Sequence, residues 1–273
     1  MMTHRNNRST YLMESDNENQ RLAEKVNPET FIQLYLAPYI TPESRILDIG
    51  CGPAVITEHL ALQYSDIKIT GLDISSSRLV EAAKNKSNTT NLSFTSADIY
   101  QIPFNKNSFD LIFSRFVFEY LKEPLLALSE IKRICKPGGW VIIQDIDGQL
   151  DSLFPEDKQL MKYIANITNV LKENFGFDPL VGRKLYYYMQ KISFIDIDLK
   201  LEPYHLMYGK IKAEEANYWN FKLSSVFPKI SQYATIGQAE LQHQINHFME
   251  YLDRKDSLMF SNLFTVYGRN PNE

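Results

Sequence analysis

From position 45 the chain alternates short apolar runs with amphipathic stretches. Residues 45–49 (RILDI) form an apolar run that breaks at Gly50-Cys51-Gly52-Pro53, after which Val55, Ile56, Leu60 and Leu62 recur with helical spacing. This predicts a strand, a tight glycine turn and a helix. The rhythm repeats: strands at 67–72 (IKITGL), 92–95, 109–114 (FDLIFS) and 140–145 (WVIIQD), with helices at 76–84 and 124–135 and a Lys136-Pro137-Gly138-Gly139 turn. Strands alternating with helices at this spacing imply a parallel sheet, because parallel neighbours need crossovers. Ahead of this core, residues 18–39 carry Leu22, Val26, Phe31, Leu34 and Tyr35 in an interrupted helical pattern. Beyond Gly148 the rhythm changes. Helices are expected at 155–174 and 181–191 and a strand at 194–201 (FIDIDLKL). A helical insertion follows at about 213–253, broken near 228–237, and then a last strand at 258–267 (LMFSNLFTVY). The strands flanking the insertion should pair across it.

Composition narrows the class only a little. Of 273 residues, 44% are hydrophobic and 23% charged, ordinary globular values that set aside disordered and fibrous readings. The formal charge of −4 disfavours nucleic acid as a partner. Two cysteines, Cys51 and Cys135, fit no disulfide framework and no metal spacing, so no metal is expected. The first residues lack the apolar stretch of a secretory signal, and no segment approaches the roughly 20 apolar residues of a membrane span. The expectation is a cytoplasmic protein with no membrane partner.

The glycine turn is the strongest chemical signal. Glycine lets a ligand approach the backbone, and the carboxyl edge of the first strand is where such sheets bind ligands, so a nucleotide-like molecule is implied. The turn lacks the third glycine of G-x-G-x-x-G, with Val55 at that place, and no G-x-x-x-x-G-K-[ST] occurs, which weakens the dinucleotide and P-loop readings. Asp73 ends the second strand, where a carboxylate can accept from both ribose hydroxyls; its competing use is to cap the helix beginning near Ser75.

Four ordered stretches, LDIGCGPA, GLDIS, SADIYQIPFNKNSFDLIFS and LSEIKRICKPGGWVIIQD, resemble the core of class I S-adenosylmethionine (SAM)-dependent methyltransferases of the small-molecule type. The resemblance implies an α/β, Rossmann-like seven-stranded sheet, mostly parallel, with helices on both faces and the antiparallel last strand inserted between the fifth and sixth. It implies SAM as cofactor, with Asp48 near the methionine amino group beside Gly50, Cys51 and Gly52. Asp73 would bind the ribose with Ile74 on the adenine; Asp98 would accept from the adenine amino group while Ile99 covers the ring. Ser114 and Arg115 would border the methionine and the transferable methyl. Ala54 departs from the glycine that many relatives have there. Residues 11–22 resemble the lid of a subset of these enzymes, with Tyr11 and Arg21 closing over the cofactor. The implied organisation is a lid and helices at 1–40, a SAM-binding core at 41–150 and the rest of the same domain at 151–273.

A methyl acceptor needs a pocket, and the candidates to orient it are Arg115, Glu119, Tyr120 and His205, with Phe116, Asp145 and Asp147 nearby. Tyr218, Trp219, Phe221 and Phe227 are either core packing or the roof over an aromatic or apolar small molecule. His243 and His247, four apart on an expected helix, have metal-compatible spacing but no evident third ligand. The leading reading is an enzyme that transfers methyl by direct displacement. The competing ones are a catalytically silent SAM-binding regulatory module and an NAD-dependent oxidoreductase.

Overall fold

The computed structural model describes residues 26–85, 89–231, 233 and 237–272. Seven strands, β1 (Arg45–Ile49), β2 (Lys68–Asp73), β3 (Leu92–Ser96), β4 (Phe109–Arg115), β5 (Cys135–Phe154), β6 (Ile195–Tyr208) and β7 (Leu258–Arg269), form one sheet in the order β3-β2-β1-β4-β5-β7-β6. The pairs from β3 through β5 are parallel, and β7 runs antiparallel between β5 and β6. The sheet expected from the sequence is therefore present, including the inserted last strand. Strand order reverses at β1, which lies between β2 and β4, so the crevice outside its carboxyl end is the natural ligand position.

The period-2 alternation of the strands sorts the core into two layers. Ile46, Leu111, Phe113 and Ile142 point to one face, where they meet Leu60 of α2 (Val55–Gln63) and Phe31, Ile32 and Leu36 from the N-terminal helical segment. That segment opens with α1 (Pro28–Phe31), where the Asn27 side chain accepts from Thr30 N–H at 2.9 Å and Pro28 fits the first turn. It continues through a π-helical turn, Ile32–Leu36, and a 3-10 turn, Ala37–Tyr39. Leu47, Ile49, Ile112, Val141 and Ile143 point to the other face, against Leu128 and Ile131 of α4 (Pro124–Ile134) and Leu185 and Met189 of α6 (Leu185–Lys191). The helix α3 (Ser76–Asn85) completes the β2–β3 crossover.

Three strands run longer than their apolar patterns suggest. β5, β6 and β7 continue past the carboxyl edge of the parallel strands and stay paired there through register shifts between Asp147 and Ser152 and between Tyr204 and Met207. On this extension sits a third core, where Leu160 of α5 (Lys158–Phe175), Trp219 of α7 (Ala213–Ile230) and Phe248, Tyr251 and Leu252 of α8 (Gln238–Leu252) pack with Met207 and Met259. The helices α7 and α8 are the expected insertion, and they hang over the carboxyl edge of the sheet.

The two histidines of α8 do not act together. His247 Nε2 meets Asp157 Oδ2 at 2.8 Å, and Asp157 also caps α5 through Leu160 N–H at 2.9 Å, whereas His243 is exposed. Among the described residues no group of His, Cys, Asp and Glu is placed to hold a metal ion, and no helix is long and apolar enough to cross a membrane.

Candidate functional site

A cavity of about 330 Å³ opens at the carboxyl edge, and one wall is the glycine turn. Gly50 and Cys51 both donate their N–H to Leu72 O, at 2.7 and 3.0 Å, which pins the turn to β2. Gly50 has φ +74, and a Cβ there would stand 2.3 Å from Val117 Cγ2; Gly52 has φ +52, and a Cβ there would meet nothing within 4 Å. The Gly52 backbone is thus bare toward the cavity, the feature that lets a ligand lie against it.

Ala54 takes a left-handed backbone with φ 63 and ψ 27 while 2% exposed. An L-residue pays roughly 1–2 kcal/mol for that conformation. Ala54→Gly should therefore stabilise the apo protein by up to about 1 kcal/mol, with part of the gain lost to chain entropy and the missing methyl. Thermal denaturation reads this, and a clear fall in melting temperature would show that Ala54 is not strained.

Three carboxylates stand at successive strand ends around the cavity: Asp48 on β1, Asp73 on β2 and Asp98 after β3. Asp73 is 5% exposed; its Oδ2 accepts from Gly52 N–H at 2.9 Å and its Oδ1 from Ser75 N–H at 2.8 Å. It therefore straps the glycine turn to the start of α3, while each oxygen keeps a lone pair for a ligand. The cap of α3 falls to Ser75, whose Oγ faces Arg78 N–H at 3.4 Å. Asp48 accepts from the Thr57 hydroxyl at 2.6 Å, and burial, with Asp73 nearby, pushes its pKa up to about 7 despite that bond. Asp98 makes a turn with Tyr100 N–H at 3.0 Å. Ile74, half exposed, and Ile99, buried, line the same cavity, as does Cys51, whose thiol burial pushes well up.

The β4 end supplies the next wall. The Ser114 hydroxyl donates to Ile49 O at 3.1 Å and so ties β4 to β1 rather than facing a ligand as a donor. Arg115 is partly buried. Its Nε–H donates to Gln144 Oε1 at 2.8 Å, the Gln144 amide donates to Thr265 Oγ1 at 2.8 Å, and the guanidinium lies 4.3 Å from the Phe116 ring centroid. Burial pulls its pKa below the ordinary arginine value. Phe116 and His205 both have left-handed backbones, φ 55 and 48, and both face the cavity, a concentration of strain of the kind that marks functional sites.

Farther from the glycine turn the cavity becomes aromatic. Tyr204 stacks between Phe116, at 5.5 Å, and His205, at 4.0 Å; His205 meets Trp219 at 5.3 Å, and Tyr120 meets Phe177 at 5.3 Å. Glu119 and Tyr120 line this part, and Tyr218 and Trp219 form its roof. Ile167 and Leu171 of α5 and Leu223 and Val226 of α7 also line it and were not legible, because their helical apolar spacing reads as core, and Lys222 of α7 lines it too, although a lysine on a helix reads as a solvent-facing charge.

Several expectations change. Asp145 is fully buried and does not line the cavity; its Oδ2 accepts from Val117 and Glu119 N–H at 3.1 and 3.2 Å and its Oδ1 from Ile146 N–H at 2.8 Å. It holds the turn that presents residues 116–119, and burial beside Glu119 raises its pKa well above the carboxylate range. Asp147 is likewise no pocket residue: Arg183 grips it with a backbone N–H at 2.8 Å and guanidinium contacts at 2.6–2.9 Å. Phe221 is 37% exposed and outside the cavity wall. Tyr11 and Arg21, the side chain of Phe227 and the segment 11–22 lie outside the described residues.

A doubly wound sheet with a reversed final hairpin, a bare glycine turn and acidic strand ends define a Rossmann-like α/β protein of the methyltransferase type. Residues 47–143 match the family described as a methyltransferase domain. An uncharacterized methyltransferase of Schizosaccharomyces pombe is 31% identical over 169 residues, covering 58% of this chain and 59% of its own. A malonyl-[acyl-carrier protein] O-methyltransferase of Legionella pneumophila is 34% identical over 95 residues, 35% of this chain and 34% of its own. Among solved structures, phosphoethanolamine N-methyltransferase 2 of Haemonchus contortus, in complex with phosphomonomethylethanolamine and S-adenosylhomocysteine, superposes with a TM-score of 0.53 at 18% identity, covering 94% of this chain and 53% of that one. Residues 47–143 thus carry a methyltransferase domain, and the fold around it is that of solved methyltransferases that bind S-adenosylmethionine or S-adenosylhomocysteine. The chain spans between a third and six-tenths of the length of these two curated relatives.

Proposed function

We propose that the protein transfers the methyl group of SAM to a small, aromatic or apolar acceptor by direct displacement. One observation carries this: three aspartates at successive strand ends face a single cavity that runs on into an aromatic chamber beneath α7. The donor set suits SAM. Asp48 is a buried carboxylate in want of a cation and would take the methionine ammonium. The bare backbone of Gly50, Cys51 and Gly52 would lie along the methionine. Asp73 would accept from the ribose hydroxyls, and Ile74 and Ile99 would hold the adenine while Asp98 accepts from its amino group. When bound, SAM supplies an electrophilic methyl on a sulfonium. The chain aligns the acceptor with it and keeps water out. Glu119, Tyr120 and His205, on the chamber wall, are the groups that would orient the acceptor, and Arg115 stands at the boundary between the two halves. Two free cysteines and the lack of any membrane-spanning helix among the described residues support work in the cytoplasm. The division into 1–40, 41–150 and 151–273 belongs to the same proposal. A crystal structure with S-adenosylhomocysteine is the test. Adenine between Ile74 and Ile99 with the sulfur turned toward Arg115 is expected; a ligand anywhere else overturns the residue roles.

The same proposal makes residues 11–22 a lid, with Tyr11 and Arg21 over the cofactor. Support comes from Val26, which lines the cavity and follows position 22 by only four residues. S-adenosylhomocysteine should slow amide exchange across 11–22 by hydrogen-exchange mass spectrometry, and removing residues 1–22 should cut turnover more than apo melting temperature. Equal exchange with and without ligand, with full activity of the truncated protein, would remove both residues from the site.

A further inference from the structure

The charges around the cavity are divided. The cofactor half carries Asp48, Asp73 and Asp98 with Arg78, and the chamber wall carries Arg115 and Lys222 with Glu119, so acid predominates in the first and base in the second. Arg115 is the telling residue. It is partly buried at the end of β4, where the charges of Asp145 and Asp48 reach it without a hydrogen bond, and none of the ion pairs among the described residues includes it. Its Nε is fixed on Gln144, which is 1% exposed and in turn fixed on Thr265, and its flat face lies on Phe116. A rigidly held, partly desolvated guanidinium gains from an anion in direct contact, and its fork is shaped for two oxygens or one oxyanion. Around it the chamber is aromatic and aliphatic, so the anion should sit on an otherwise apolar body.

Resting on the methyltransferase reading, we propose that the acceptor is an apolar small molecule whose reacting oxygen is already ionised, a carboxylate, phenolate or enolate, received by Arg115. The reaction then balances without a base. An oxygen lone pair forms the new O–CH3 bond as the S–CH3 bond breaks and its electron pair returns to sulfur. An anion and a sulfonium become a neutral methyl ester or ether and a neutral thioether. The loss of acceptor charge also breaks its pairing with Arg115, which favours release of product. Gln144 acts as a positioning residue, because it sets the plane of the guanidinium.

The methionine carboxylate of the cofactor is the other source of an anion for Arg115, and calorimetry separates the two. Wild-type protein saturated with S-adenosylhomocysteine is titrated with 4-phenylbutyrate, octanoate and the matching neutral alcohols. The carboxylates should bind about tenfold or more tightly than the alcohols, since a charge-assisted pair replaces a neutral contact. Arg115→Met should erase that preference while changing S-adenosylhomocysteine affinity by less than about threefold. Equal binding of acids and alcohols by the wild type overturns the proposal even if the variant fails to fold. So does loss of S-adenosylhomocysteine binding on Arg115→Met in a folded variant, which would hand the residue to the cofactor. Failure of the wild type to bind S-adenosylhomocysteine at all would instead sink the methyltransferase reading and this one with it.

Discussion

Asp73→Ala should weaken SAM binding by about 2–4 kcal/mol, roughly 30- to 1000-fold in Kd, while leaving the chain folded. In the proposed role of Asp73, the variant loses the acceptor for two ribose hydroxyls. It also releases Gly52 and Ser75, whose N–H groups both bond to this carboxylate, so the glycine turn that should lie along the methionine loosens as well. Both effects act on cofactor affinity, whereas only the second acts on the apo protein. The drop in apo melting temperature should therefore be modest beside the loss of binding. Calorimetry of SAM binding beside apo thermal denaturation reads the two separately. A variant that melts lower but binds SAM like the wild type would reduce Asp73 to a turn strap and move the ribose contact elsewhere.

Asp48→Asn should have opposite effects on stability and binding. The folded pKa of Asp48 is pushed up to about 7 from an ordinary value of 3.8, first by burial and then by Asp73. Folding therefore favours the protonated form. The apo protein loses stability as pH rises from the unfolded pKa through the folded one, and the loss is complete above about pH 7. Asparagine keeps an acceptor for the Thr57 hydroxyl and carries no charge, so the variant should gain about 1–3 kcal/mol at pH 8 and less at pH 5. Binding runs the other way, because an ammonium group needs the carboxylate ionised. Wild-type affinity for SAM should rise with pH and level off above about 7, weakening by up to about tenfold per unit below that, and Asp48→Asn should bind weakly at every pH. Melting curves and titrations at pH 5, 6, 7 and 8 measure both. A variant less stable than wild type at pH 8, or wild-type affinity flat across this range, would contradict the buried-carboxylate assignment.

The carboxyl edge of the sheet was readable from sequence because its signals are local. Gly50, Gly52, Asp73 and Asp98 each sit where an apolar run stops, and period 2 in the strands fixes which positions face which layer. The chamber was only partly readable. Tyr120, His205 and Trp219 stood out by type, but Ile167, Leu171 and Val226 are ordinary helix-stripe residues until α5 and α7 cross over the site. The reach of β5 and β6 past the sheet edge was hidden because register shifts near Gly148 and Tyr204 break the alternation that marks a strand. Asp145 and Asp147 were misplaced for a different reason. Their partners, the N–H groups of 117–119 and Arg183, come from segments 26 to 36 residues away, and nothing near them in sequence shows that these carboxylates are already taken.

The central claim is that this cavity holds the methyltransferase cofactor, and a calorimetric titration of the wild-type protein with S-adenosylmethionine, S-adenosylhomocysteine and NAD tests it most directly. Saturable binding of both adenosyl ligands at one site per chain, with no heat from NAD, is the expected result. Saturable binding of NAD with none of S-adenosylmethionine would contradict it.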